Sequence, residues 1–394
     1  MQAEEQESRR ISRALLIAAL HPDSRVFAQL AEDAGRRVDW SWVFECAAAH
    51  KVAALLAARV EGCGAVAPID DVTAARLRKF RDEARARAVV ALDTLREVGA
   101  HFDEAGLPFL VVKGSVLAEH VYHDAAARRF FDVDVVVHPE MIEPAEALLR
   151  SMGYELGQVD KLIGVRPTGQ AAARMAESMT HAFYRRYEYE LPFVTRAAAS
   201  RLAVDLHWHI APRDRVRISA EDIWQFTAPV RVGDSQLRTL TPSATLIHLA
   251  VHATTCSFAG FRLLHLCDVA WAATQFGEQC DDLWAVAEAW GVASHLDRVM
   301  DMTARVLGVP LPPLVRRTIA PGRRLLHREL RMVVRNGFLV DAAAAGSLAP
   351  WRRAWREVVW SIAMRCLGRN LMRSWRVRGV RLRWWWRRRR VAEA

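Results

Sequence analysis

FLVVKGSVLAEHVYHDAAARRFFDVDVVV, residues 109–137, holds two apolar runs with polar residues set where a buried strand does not favour them. The first run stops at Lys113-Gly114-Ser115, and the second carries Asp132 and Asp134 two residues apart. Alternate side chains of a strand share a face, so Asp132 and Asp134 point the same way while Val133 and Val135 point into the other layer. An exposed edge strand with two solvated acids would show the same D-x-D spacing. The neighbours Phe131, Val133, Val135, Val136 and Val137 favour a buried strand instead. Carboxylates about 6–7 Å apart on one strand face repel each other. A divalent cation is the natural counter-charge: Mg²⁺ takes one or two carboxylates and fills its shell with water and substrate phosphate.

A third carboxylate stands in RLAVDLHWHI, residues 201–210, a second strand candidate. There Asp205, His207 and His209 share one face, and Leu206, Trp208 and Ile210 the other. A carboxylate shared between two metals is the arrangement that serves in-line phosphoryl or nucleotidyl transfer. The plain alternative for His207 and His209 is a pair of partly buried, hydrogen-bonded imidazoles. Gly114-Ser115 lies where a strand turns into a helix. Glycine lets backbone approach a ligand there, and the N–H groups of a first helical turn attract phosphate. Lys113 adds a compact ammonium at that turn. It is one of four lysines (51, 79, 113, 161) among 55 basic residues, and an ordinary surface lysine is the competing reading.

Around this stretch the pattern is helical. DWSWVFECAAAHKVAALLAARV and, after Pro68, TAARLRKFRDEARARAVVALDTLREVGAHFDEAG have apolar residues at helical spacing, the second ending at Gly106. PEMIEPAEALLRSMG reads as a helix ending at Gly153, residues 154–200 are mixed, and from about 242 the helical pattern resumes. The expected fold class is therefore α+β, a small mixed-sheet core flanked by N-terminal and C-terminal helical regions. The expected divisions are 1–105, 106–240, 241–350 and a tail, 351–394.

The formal charge of +10 belongs to that tail. Residues 351–394 hold fourteen Arg against Glu357 and Glu393, which leaves 41 basic and 43 acidic side chains in residues 1–350. Any polyanion would therefore meet the tail, not the body. The tail interleaves Trp with Arg, ending WWWRRRR at 384–390. Residues 376–390 read as a segment for an anionic membrane surface or single-stranded nucleic acid, or as a disordered basic end. Six scattered cysteines without a C-x-x-C pair fit free thiols in a reducing compartment. No apolar window is long enough to span a membrane and the start is charged, so the expected location is cytoplasmic, with peripheral membrane attachment open. His248, His252 and His265 have an H-x-x-x-H spacing but no third ligand nearby, and packing roles are expected.

Taken in order, Lys113, Gly114, Leu117, Tyr122, Arg128, Asp132 and Asp134 resemble the "LKG…L…Y…R…DIDLLV" segment of a branch of the DNA-polymerase-β-like superfamily. That branch is the uncharacterised nucleotidyltransferases. Val204 to Trp208 match its "VDLHW" strand, and LIHLAVHATTCSFAGFRLLHLCDVAW its later helical segment. The resemblance runs from roughly 38 to 313. It implies a metal-dependent nucleotidyltransferase that moves a nucleoside monophosphate, with AMP expected, from an NTP to a hydroxyl of a small molecule, peptide or protein. Asp132, Asp134 and Asp205 would be the catalytic acids and hold Mg²⁺, with two ions possible. Lys113, Gly114, Ser115 and Arg128 would bind the nucleotide. His207 and His209, with an Arg262–Asp268 ion pair, would line the acceptor side. The sixteen residues between Ser115 and Asp132 exceed the compact superfamily spacing, and DVDVVV replaces DIDLLV. The alternative is a catalytically silent protein of this fold that docks through its basic tail.

Overall fold

The computed structural model describes residues 2–63, 69–163, 169–195, 201–211, 216, 218–255, 261–315 and 375–386. The fold is α+β. The chain divides into two compact units, one comprising Met1–Val89, Lys113–Phe130 and Leu240–Met364, the other Val90–Val112, Phe131–Thr239 and Arg365–Ala394.

The first unit is helical. Helices α1 (Gln2–Leu20), α2 (Ser24–Ala34), α3 (Trp40–Ala49) and α4 (Ala53–Cys63) begin it, and α5 (Asp71–Glu104) starts in it and continues into the second. Caps set the early boundaries: the Asp23 carboxylate accepts the Arg25 N–H at 3.0 Å, and Asp39 accepts that of Trp42 at 2.9 Å. The short α6 (Gly114–His120) belongs to the same unit. Helices that come much later in the chain complete the core, although the sequence suggests separate N- and C-terminal regions.

The second unit holds a five-stranded mixed sheet. Its strands are β1 (Phe109–Val112), β2 (Asp132–Val137), β3 (Tyr154–Leu156), β4 (Glu190–Thr195) and β5 (Ala203–His207), in the order β1-β2-β5-β4-β3. Only β2 and β5 run parallel. Helices α7 (Ile142–Ser151), α8 (Val159–Ile163), α9 (Gln170–Tyr187) and α10 (Ala220–Gln225) accompany it, and β6 (Thr227–Val232) and β7 (Ser235–Leu240) form a hairpin. The valines of β2 are buried on both faces, which explains why D-V-D-V-V-V sits in the sheet interior. Phe131, expected to flank a buried strand, is 41% exposed.

The start of β5 is pinned from three sides. The Leu202 N–H donates to Thr94 Oγ1 of α5 at 2.9 Å, Arg201 pairs with Glu97, and the Arg201 guanidinium also donates to the Met152 carbonyl at 2.8 Å. Those contacts set the register that carries Asp205.

In the first unit, α11 (Pro242–Thr255), α12 (Leu263–Phe276), α13 (Leu283–Ala289) and α14 (Ala293–Leu307) follow the sheet region in the chain, and α1 packs on α14. A last helix, α15, spans 375–386 and belongs to the second unit. The tail residues 351–374, the basic run at 387–390, Cys256 and Cys366 lie outside the described residues. The remaining four cysteines are free thiols. No helix among the described residues is long and apolar enough to cross a membrane.

Candidate active site

Three neighbouring strands of the second unit build the acidic face. In the parallel ladder Asp134 pairs with Asp205, and Asp132 with Ala203. Directly opposed residues of adjacent strands lie on one face about 4.8 Å apart. Two carboxylates at that spacing repel by about 3 kcal/mol at an effective dielectric near 20. Asp134 is buried and Asp205 half-buried, so water relieves only part of this.

His207 answers the charge. It follows Asp205 by two residues and so shares its face. Its Nε2 lies 3.0 Å from Asp134 Oδ1 and its Nδ1 3.3 Å from Glu190 Oε2. Glu190 is placed by the antiparallel β4–β5 ladder, where it stands directly opposite His207. The Tyr189 ring packs against the imidazole at 5.6 Å. An acidic side chain at each nitrogen fixes the orientation of the ring and, through it, of the Asp134 carboxylate.

Ligand atoms of Asp134, Asp205 and His207 lie within 4.8 Å of one another. Among the described residues this is the group of His, Cys, Asp or Glu side chains close enough to hold a metal. The donor set fits a divalent cation: two carboxylates from adjacent strands, with one imidazole beside them. Asp132 is half-buried on the same strand face, one two-residue step along, outside that group.

The Lys113-Gly114-Ser115 turn follows β1 without a gap. Val112, the last residue of β1, pairs with Asp134, and the next residue is Lys113. Lys113 adopts φ 54° and ψ −120°. A non-glycine residue in such a region costs about 1–3 kcal/mol, a strain that turns at functional sites often carry. Ser115 is buried in the first turn of α6.

Other residues singled out in the sequence go elsewhere. In the first unit the Arg128 guanidinium grips Asp268, Nε to Oδ1 and Nη2 to Oδ2, both at 2.8 Å. The Tyr122 hydroxyl donates to Asp268 Oδ1 at 2.9 Å, and its ring stacks on Trp271 at 4.7 Å. Burial and the Asp268 charge hold the Tyr122 hydroxyl well above its ordinary pKa, so it stays a donor. Asp268 is thus paired with Arg128, not with Arg262. The Arg262 N–H donates to His265 Nδ1 at 3.3 Å, and its guanidinium to the Phe261 carbonyl at 2.6 Å. His209 is buried, with Nδ1 and Nε2 against the Ala211 and Ile218 backbone. The rings of His248, His252 and His265 follow one another at 6.5 and 5.1 Å. Burial first, and then the charges of Lys51, Arg128, Arg262 and Lys113, bring His265 down to about 3.

Glu190 is the residue the sequence reading missed. It stands in the mixed stretch 154–200, and its place depends on strand order that no local pattern encodes.

The mixed sheet thus sets Asp134 and Asp205 in register on neighbouring parallel strands. The chain belongs to the uncharacterised nucleotidyltransferase family, which matches residues 36–308. Its members are enzymes of this transfer class, as the D-x-D and VDLHW segments imply. No curated protein matches the chain. A solved structure similar in part is that of the antibiotic-resistance factor ANT(2'')-Ia in solution. It is 13% identical, the match covers 50% of this chain and 89% of that one, and the TM-score is 0.31.

Proposed function

We propose that the chain is a metal-dependent nucleotidyltransferase that moves AMP from ATP onto a hydroxyl of a small molecule, peptide or protein. The observation that carries this reading is the in-register pair Asp134–Asp205, with Asp132 on the same strand face. A bound divalent cation, Mg²⁺ in this reading, would neutralise charge developing on the transferred phosphoryl group and its leaving pyrophosphate.

The chain's own residues have distinct tasks. Asp134 and Asp205 hold the cation, and Asp132 extends the acidic face toward a second ion or its water. Asp205, half-buried, accepts the proton of the acceptor hydroxyl. His207 does not touch substrate in this reading. It holds the Asp134 carboxylate in one orientation, and Glu190 holds His207. The Lys113 ammonium and the backbone at Gly114 and Ser115 take phosphate oxygens. Arg128, whose fork is committed to Asp268, shapes the helical unit.

The test is transfer itself. The protein is incubated with labelled ATP, GTP, CTP or UTP, Mg²⁺ and a cell extract. Label should pass to an acceptor from ATP in preference to the other three, and should vanish in Asp134→Ala and Asp205→Ala proteins. Equal labelling by wild type and both variants would refute the reading.

A further inference from the structure

Helix α15, WRVRGVRLRWWW, has two apolar faces, and among the described residues one of them is buried and the other exposed. The inner face carries Val380 and Trp384, both buried. The helix is held on this side by polar contacts as well. Arg381 donates to the Leu162 and Lys161 carbonyls at 3.0 and 3.1 Å, and Arg376 lies 4.6 Å over the Tyr187 ring. A cleft of about 490 Å³ beside it is lined by residues of α9 with Val380 and Arg383, and carries Arg186 at its wall.

The outer face is the unusual one. At about 100° per residue, Trp375, Leu382 and Trp386 fall within about 40° of one another, on the side opposite Val380 and Trp384. They are 69%, 62% and 59% exposed, and Trp385 beside them is 48% exposed. Among the described residues no tryptophan outside this helix reaches such exposure. Arg378 and Arg383 flank the stripe. From 375 to 390 the chain has eight Arg and no acid. An apolar stripe that large is costly to leave in water, and patches of this kind mark interaction sites.

We propose that α15 is an interfacial helix that seats the protein on an anionic lipid surface. Trp375, Leu382 and Trp386 enter the boundary between headgroups and acyl chains, and the flanking arginines meet headgroup phosphates. The helix is about 18 Å long, too short to span a bilayer and long enough to lie along one. Single-stranded nucleic acid is the competing polyanion, and it would stack bases on aromatic faces. Leu382, in the middle of the stripe, offers no such face. Trp385 and Trp386 stand edge to face at 5.9 Å and 89°, closing off a continuous stacking surface. The proposal is independent of the transfer chemistry.

The experiment is co-sedimentation of the full chain with vesicles of phosphatidylcholine alone, or with about 30% phosphatidylglycerol, at low and high salt. The protein should pellet with the anionic vesicles, less so at high salt. The partition coefficient should fall at least about tenfold in Trp375→Ser/Leu382→Ser/Trp386→Ser and in Arg378→Gln/Arg383→Gln, since each removes one of the two attractions. Circular dichroism checks that these outward substitutions leave the fold intact. In unmodified protein, vesicles with brominated acyl chains should quench tryptophan fluorescence, a readout that needs no variant. Equal pelleting by wild type and the triple variant, or no quenching, overturns the proposal. So does an oligo-dT that binds through the same residues and strips the protein from the vesicles.

Discussion

Asp268→Ala removes the acceptor that two buried donors share. Arg128 and Asp268 are each under 10% exposed, and their bidentate pair is joined by the Tyr122 hydroxyl. Removing one partner of a buried pair strands the other charge, at about 3–5 kcal/mol. The Tyr122 hydroxyl left without its acceptor adds about 1 kcal/mol or more. Together these approach the whole stability of an ordinary domain, about 5–15 kcal/mol. The milder Asp268→Asn keeps one acceptor and should cost about half as much. Replacing the cluster as a unit, with Arg128→Met, Asp268→Leu and Tyr122→Phe, leaves nothing charged behind and should cost less than Asp268→Ala alone, within about 2 kcal/mol of wild type. Urea denaturation followed by tryptophan fluorescence measures this, because Trp271 stacks directly on Tyr122. The reasoning fails if Asp268→Asn costs under about 1 kcal/mol while Arg128→Met keeps its stability and loses Mg²⁺-dependent nucleotide binding. That pair of results would make Arg128 a phosphate ligand, as the family resemblance implies, and not the core of a structural lock.

Three further outcomes follow from single contacts. His265 binds the Arg262 N–H through an unprotonated Nδ1 and is held at about 3, below the usual histidine value. The unfolded chain therefore binds the extra proton first, so stability is full above about pH 6.5 and is lost as pH falls from there toward 3. Half-buried as the ring is, the loss at pH 5 should be about 1 kcal/mol, and His265→Gln should flatten that slope in urea midpoints taken from pH 7 to 4. Glu190→Gln should lower metal affinity about tenfold by loosening His207, with the urea midpoint moved little; an unchanged Mn²⁺ titration contradicts the positioning role. At Gly277 an added Cβ would meet Pro312 side-chain carbons at 2.5 and 2.7 Å. Gly277→Ala should cost about 1–3 kcal/mol by thermal or urea unfolding, and a neutral result would mean that the Pro312 turn yields.

Much of the acidic face was legible because its signals are local. D-V-D-V-V-V announces both the buried strand and the shared face of its acids, and V-D-L-H-W does the same for Asp205 and His207. The Lys-Gly-Ser turn and α6 were equally plain. What stayed hidden depends on distant pairing. Glu190 meets His207 only because β4 inserts between β5 and β3, and Asp268 meets Arg128 across 140 residues. Asp268 lay near Arg262 in sequence, which invited the wrong partner; helical geometry turned it toward Arg128 and Tyr122 instead. The β6–β7 hairpin did carry a cue, a two-residue Gly233-Asp234 turn between alternating runs, with Gly233 at φ 58°. His209 shared a face with Asp205 on paper, but β5 ends at His207, so its ring turns to backbone atoms of Ala211 and Ile218.

The most direct measurement is a calorimetric titration of ATP into the protein with Mn²⁺ present, for wild type, Asp134→Asn and Asp205→Asn, beside Asp103→Asn, an exposed position on α5, as a surface control. Each of the two site variants should lose metal-dependent nucleotide binding by at least about tenfold while unfolding like wild type. Retention of wild-type affinity by both would mean that the facing acids of β2 and β5 hold no cation.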